Sequence, residues 1–143
     1  MAKSYEELRF TDDFMFGKVM EDRELCRDVL ECLLGEKVGE LREVQAERQF
    51  RYTADGKPIR LDVYTRDERS VYDAEMQNLN HRRAEKLELA KRSRFYQSMM
   101  DADYLQKGNS YRELPEGKVL FICTFDPFSE GLAVYTFESR CEE

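Results

Sequence analysis

The sequence has 143 residues, of which 23 are Lys or Arg and 30 are Asp or Glu, for a net charge of −7. Charged residues make up 37%, against about 25% in an average soluble domain, while a hydrophobic share of 41% still suffices for one sizeable core, and the length fits a single domain over 1–143. No apolar run approaches the roughly 18–20 residues of a membrane helix, Met1–Phe10 alternates charges unlike a secretory signal, and the acidic balance excludes histone-like binding of nucleic acid by bulk charge.

Four cysteines, Cys26, Cys32, Cys123 and Cys141, form no CxxC pair, and the single histidine, His81, does not complete a zinc set. Reduced thiols in a cytoplasm are the expectation, with Cys26 and Cys123 packed as small hydrophobes.

In chain order, Thr11 and Asp12 are capping residues for a short helix through Met20. Asp22 caps a second helix, in which Cys26, Val29, Leu30 and Leu33 follow the i, i+3, i+4, i+7 rule and Gly35 is a stop signal. Glu43–Tyr52 alternates, with Val44, Ala46 and Phe50 in phase, and reaches a turn at Ala54–Lys57. Ile59, Leu61 and Val63 then alternate with Arg60, Asp62 and Tyr64 as a half-buried strand. A third strand, Ser70–Gln77, puts Tyr72, Ala74 and Met76 on one face and Val71, Asp73, Glu75 and Gln77 on the other. Three consecutive strands predict an antiparallel meander.

The helical period returns from about Asn80 to Lys107, with Leu89, Tyr96, Met100 and Tyr104 on one face. A helix of that length would span about 42 Å, so its first turn is expected to be loop or its axis to bend. Lys118–Phe125 contains the uninterrupted apolar run Val119–Cys123 and reads as a strand buried on both faces. Leu132–Phe137 reads as one more strand. The crossover helix allows parallel pairing of the buried strand with one of the first three.

Asp62 and Glu75 are the most informative pair. If the second and third strands form a hairpin around Glu68-Arg69, the two stand directly opposite each other, with Cβ atoms roughly 4.5–5.5 Å apart. Gln77 shares their face. Two like charges so placed destabilise a sheet, and a bound cation relieves the repulsion. Mg²⁺ suits a site of one or two carboxylates with several waters, and such a centre can hydrolyse phosphodiesters. Gln77 takes up no proton, but it can orient a water or donate to a phosphate oxygen. A slip of one residue in register would break the pairing, and two solvated charges on an exposed strand face are the alternative.

Leu61-Asp62-Val63, followed by Glu75-Met76-Gln77 thirteen residues after the Asp, resembles the D…ExQ variant of the PD-(D/E)XK nuclease motif. Thr11-Asp12-Asp13-Phe14-Met15-Phe16-Gly17-Lys18-Val19-Met20 is similar to the opening signature of the transposase-like branch, the recombination-promoting nucleases. Lys91–Tyr96, Gly108, Tyr111, Leu114 and the strand Val119–Phe125 resemble the rest of its core. The resemblance runs from about Thr11 to Phe128, and the element order matches the αβββαβ core of a restriction-endonuclease-like α/β fold, a central mixed sheet flanked by helices.

The resemblance implies a bacterial, cytoplasmic, metal-dependent DNA endonuclease of recombination or mobile-element biology, with double-stranded DNA as partner and no membrane. Asp62 and Glu75 would hold Mg²⁺, with Mn²⁺ as a substitute and the Met76 carbonyl as a further ligand. Gln77 stands where most superfamily members carry Lys, and Leu61 where many carry Pro. Family members usually continue further, so 129–143 is expected to begin a further region of a truncated chain.

Asp13 is an auxiliary carboxylate in this reading, or else a first-turn charge favoured by the helix dipole. Glu47 is a candidate for the same face or a solvated charge. The stretch Asn78–Gln97 has six cationic residues, Arg82, Arg83, Lys86, Lys91, Arg92 and Arg94, against Glu85 and Glu88. It is either a phosphate-binding patch, with Arg82, Arg83, Lys91, Arg92 and Arg94 as DNA contacts, or a helix laced with i, i+4 pairs. His81 is a candidate base or phosphate donor, or a solvent-exposed loop residue. Cleavage of both strands would require two active sites and hence a homodimer. The competing functions are an inert nuclease-fold module that binds DNA or a protein, motivated by Gln77, and an acidic interaction domain, which rests on the −7 charge alone.

Overall fold

Of the two expected N-terminal caps, one forms in the computed structural model, which describes residues 3–51, 53–78 and 88–142. Helix α1 (Asp13–Glu21) follows Asp12, whose carboxylate pairs with Lys3 and accepts the Arg9 N–H rather than capping its own helix. Asp22 does cap α2 (Arg23–Leu34), accepting the N–H groups of Glu24 and Leu25 at 3.0 Å each. Gly35 ends α2 at φ 68°, a left-handed conformation that a side chain would strain.

Four strands follow: β1 (Glu43–Phe50), β2 (Ile59–Arg66), β3 (Ser70–Gln77) and β4 (Glu116–Cys123). They form one sheet in the order β1-β2-β3-β4. The first three are an antiparallel meander, as their alternation predicts, and β4 lies parallel to β3. The β2–β3 turn is held by Asp67, whose carboxylate accepts from the N–H groups of Arg69 and Ser70 and from the Tyr72 hydroxyl. Helix α3 (Leu89–Gln106) precedes β4 and packs mainly against it. The earlier part of the expected helix, from Asn80, lies partly outside the described residues, as does Tyr52 at the end of the first expected strand.

Two apolar clusters flank the sheet. Phe16, Met20, Cys26 and Leu30 of α1 and α2 pack on Val63, Tyr72, Ala74 and Met76. Met99 and Met100 of α3 pack with Val71, Tyr64, Leu61, Ile59 and Phe50. Strict alternation would send Leu61 and Tyr64 to opposite faces, yet they share this cluster, while Val63 belongs to the other. The phase changes at Asp62 and at Glu47, the positions missing from the β1–β2 pairing between Ala46–Val63 and Arg48–Leu61. Glu47 has φ 54° there. Ala46 is accordingly exposed instead of sharing the buried face of Phe50.

Strand β4, last in the sheet order, does meet both apolar clusters, Leu120 and Ile122 on the α1–α2 side and Val119 on the α3 side, but as an edge strand its run is half-buried rather than buried. Cys123, at its end, is likewise only partly buried. Leu132–Phe137 is irregular and not a strand. Asp126 organises that segment instead, accepting from the N–H groups of Phe128, Ser129 and Gly131 and from the Tyr135 hydroxyl, while Tyr135 and Phe137 pack on Phe128.

Candidate active site

The β2–β3 ladder pairs Val63 with Ala74, Tyr64 with Asp73, Thr65 with Tyr72 and Arg66 with Val71. One further step in that register brings Asp62 opposite Glu75. Here side chains take over from the backbone ladder. The Asp62 N–H donates to Glu75 Oε1 at 2.8 Å, and the Met76 N–H donates to Asp62 Oδ2 at 3.1 Å. Each carboxylate so uses one oxygen to tie the opposite strand.

This crossing lies at the end of the sheet where parallel β3 and β4 finish and where α1 and α3 begin. Ligand sites of open α/β sheets gather outside the carboxyl ends of parallel strands, and helix N-termini favour anions. Asp13, in the first turn of α1, is exposed and accepts from Asn78 Nδ2 at 3.2 Å, directly after β3. Its charge reaches Asp62 and, after burial, helps to raise its pKa.

Asp73, Glu75 and Gln77 line the α3 side of β3 and are buried, with 0%, 3% and 7% exposure. Asp62 is half-buried and is, with Asp13, the open side of the group. Burial pushes the Glu75 carboxyl from its ordinary 4.5 up to about 7, helped by the negative charge of Asp62. Burial likewise raises Asp62, against the Met76 N–H that favours its ionised form. Asp73 is raised well above the carboxylate range by burial and by the neighbouring Glu75. No donor among the described residues reaches either Asp73 oxygen. A proton on Asp73 itself, donated to Glu75, accounts for this arrangement: two adjacent buried carboxyls cannot both ionise cheaply.

Gln77 is a strut. Its Oε1 accepts from Arg92 Nη1 at 3.1 Å, and its Nε2 donates to the Met76 carbonyl at 3.0 Å. One amide hydrogen and one lone pair of that carbonyl are left over. Arg92 Nη2 donates to the Tyr96 hydroxyl at 3.1 Å, and its guanidinium lies 5.1 Å from the Phe121 ring centre.

A hard, oxygen-rich donor set of this kind fits Mg²⁺. Among the described residues no group of three or more His, Cys, Asp or Glu is placed to hold a metal ion together. The candidate ligands are therefore the pair Asp62 and Glu75, each with a second oxygen, and the Met76 carbonyl. Asp73 does not join them round one ion. Both carboxylates resist ionisation in the bare protein, and a cation between them relieves that resistance.

A family model of PD-(D/E)XK nuclease family transposases matches residues 10–133. The chain belongs to that family. The mixed four-stranded sheet and three α-helices of the described residues are an α/β fold consistent with a PD-(D/E)XK nuclease. No curated protein and no solved structure gives a significant match.

Within this family fold the remaining candidates separate. Lys91 and Arg94 are exposed on the first turns of α3. Arg82, Arg83 and His81 lie outside the described residues. Glu47 is exposed and lies 3.7 Å from Arg60, so it stands as a solvated charge. An open hollow of about 720 Å³ lies at the other end of the sheet, lined by Arg23, Lys37, Arg42 and the Asp67–Ser70 turn. Its charges are interleaved, with Lys118 paired to Glu36 and Glu116, and it holds none of the site carboxylates.

Asp73 and Tyr96 escape the sequence reading as site members. Asp73 shares the alternating face of Glu75 and Gln77, and that alternation is the signal that finds it. Arg92 and Tyr96 are four apart on a helix, the spacing at which side chains meet, but nothing local says that the pair faces Gln77.

Proposed function

We propose that this chain is a Mg²⁺-dependent endonuclease that hydrolyses phosphodiester bonds of double-stranded DNA, in DNA recombination or mobile-element biology of a bacterial cytoplasm. The carrying observation is the crossing of Asp62 and Glu75, each bonded to the backbone of the other's strand and each made reluctant to ionise. When bound, Mg²⁺ (or Mn²⁺ in its place) polarises a phosphoryl oxygen and acidifies water. Asp62 and Glu75 would hold it through the oxygens that do not bond the opposite strand's backbone. The Met76 carbonyl adds a neutral ligand, held in place by Gln77. Asp13 is an auxiliary carboxylate at the open side. Lys91 and Arg94, with Arg82 and Arg83, hold the DNA backbone. Two chains as a homodimer would serve the two strands.

The test is nicking of a supercoiled plasmid with and without Mg²⁺. Asp62→Ala and Glu75→Ala are each expected to lower the metal-dependent rate by on the order of 10²–10³-fold, the loss of several kcal/mol of charge stabilisation. Metal-dependent cleavage that survives both substitutions rejects the site.

One observation favours a second reading, a nuclease-fold module that binds DNA or a protein without turnover. Gln77 occupies the position of the usual Lys, and its amide is engaged with Met76 and Arg92. Calorimetry separates the two: no Mg²⁺ or Mn²⁺ binding at millimolar concentration favours the inert module.

A further inference from the structure

We propose that Arg92 is a catalytic residue, which supplies from α3 the positive charge that Gln77 does not supply from β3, by donating N–H bonds to the non-bridging oxygens of the scissile phosphate. The proposal rests on the nuclease reading above and gives it a residue that acts on the reacting group.

Arg92 lies in the first turn of α3 and reaches across to the end of β3. Its partners there, Gln77 Oε1 and the Tyr96 hydroxyl, are neutral acceptors at 3.1 Å each. Neutral acceptors orient a guanidinium without cancelling its charge. The Phe121 and Tyr96 rings, with centres 5.1 and 5.5 Å away, hold the group in place. These two bonds use two of the five N–H donors of an arginine, in a planar fork suited to phosphate oxygens.

Arg48 shows the contrasting case on the same face. It bonds Asp103 at 2.7 Å and lies over Phe50 and Tyr64, an ion pair that neutralises its charge inside the fold. Lys91 and Arg94 are exposed, as suits residues that grip a DNA backbone. Among these four cations Arg92 combines partial burial with uncharged partners, and it is close enough for its field to reach Asp62, Asp73 and Glu75.

In the hydrolysis step the oxygen of water bonds to phosphorus. One P–O ester bond breaks, its electron pair passes to the leaving oxygen, and that oxygen takes a proton from water. The attacking water gives its proton to solvent. Arg92 keeps all its protons, since a guanidinium does not titrate in this range. Its N–H groups strengthen their bonds as negative charge builds on the non-bridging oxygens, which is stabilisation specific to the transition state.

The experiment compares Mg²⁺-dependent plasmid nicking by the wild type, Arg92→Met, Arg92→Lys and the double variant Arg92→Met/Gln77→Lys, with calorimetric Mg²⁺ binding alongside. Arg92→Met is expected to lower kcat by about a hundredfold, the usual effect of removing one such donor, while Mg²⁺ binding is kept or tightened. Arg92→Lys falls between. The double variant regains at least about tenfold over Arg92→Met, because the lysine introduced on β3 restores a cation beside the phosphate, a rescue that a packing role would not show. Lys91→Met, by contrast, raises KM. Should Arg92→Met fail to fold, Arg92→Gln against Arg92→Lys makes the same comparison. A wild-type rate in Arg92→Met, or no rescue by Gln77→Lys in a folded double variant, overturns the role of Arg92 alone. A wild type that does not nick overturns the nuclease reading as well.

Discussion

Glu75 and Asp73 occupy alternate positions on β3 and face the same buried side, so one negative charge is the most their surroundings tolerate. A carboxyl whose pKa in the folded state lies above its unfolded value contributes least to stability when it is ionised. For Glu75 that contribution is whole below about 4.5 and is lost as pH rises through about 7. Asp62 and Asp73 shift in the same direction. The metal-free protein is therefore expected to melt at lower temperature as pH rises from about 5 to 8, and Glu75→Gln is expected to flatten that slope. Millimolar Mg²⁺ should restore the melting temperature at the alkaline end, since a cation favours the ionised carboxylates. Thermal melts across pH, with and without metal, measure all three; a melting temperature that climbs over this range contradicts the buried acid pair.

Among the elements, α2 shows how a periodic pattern becomes a core. Leu30 is wholly buried on the sheet, whereas Leu33, which the spacing puts in the same stripe, is 40% exposed. The stripe is wider than the contact, because α1 and the sheet cover only part of the helix. Leu30→Ala is expected to cost about 3 kcal/mol in denaturant unfolding and Leu33→Ala less than about 1 kcal/mol. Equal losses would show that α2 does not pack as described. The hairpin of β2 and β3 carries the site by a different device. Asp67 fixes the turn through three acceptor bonds, and a fixed turn fixes the register further along at Asp62 and Glu75. The break of phase at Glu47 and Asp62 then frees Asp62 from the regular ladder and lets its carboxylate reach the Met76 N–H.

At the scale of the whole molecule, acidic charge is the background and the start of α3 the exception. The net charge is −7, yet Lys91 and Arg94 stand exposed beside a site at the carboxyl ends of β3 and β4. A local cationic patch suffices for DNA because counterion release depends on the phosphates neutralised and not on net charge. Affinity for a short duplex is therefore expected to fall with salt, and Lys91→Met/Arg94→Met should flatten the log–log slope by about 0.9 for each phosphate no longer neutralised. Fluorescence anisotropy over a salt series reads this, and an unchanged slope would place the DNA elsewhere. Among the described residues no helix is long and apolar enough to cross a membrane.

The hairpin pairing of Asp62 with Glu75 was legible because a short turn and a period of two leave little freedom of register. The caps at Asp22 and Gly35, the meander and the crossover to a parallel strand were legible for similar local reasons. Other features were not. Val119–Cys123 reads as fully buried because apolar residues record what a strand tolerates, not how completely an edge position is covered. Leu132–Phe137 has strand-like residues, but the turn made by Asp126 and the stacking of Tyr135 and Phe137 on Phe128 prevail there. Periodicity and turn chemistry over short stretches of chain are enough to place the elements, their order and the facing of two acidic groups. The sealing of Asp73 beside Glu75 and the closure of Arg92 on Gln77 emerge with the packed fold, because the angle at which α3 crosses the sheet and the shape of its side-chain packing leave no trace in a linear pattern.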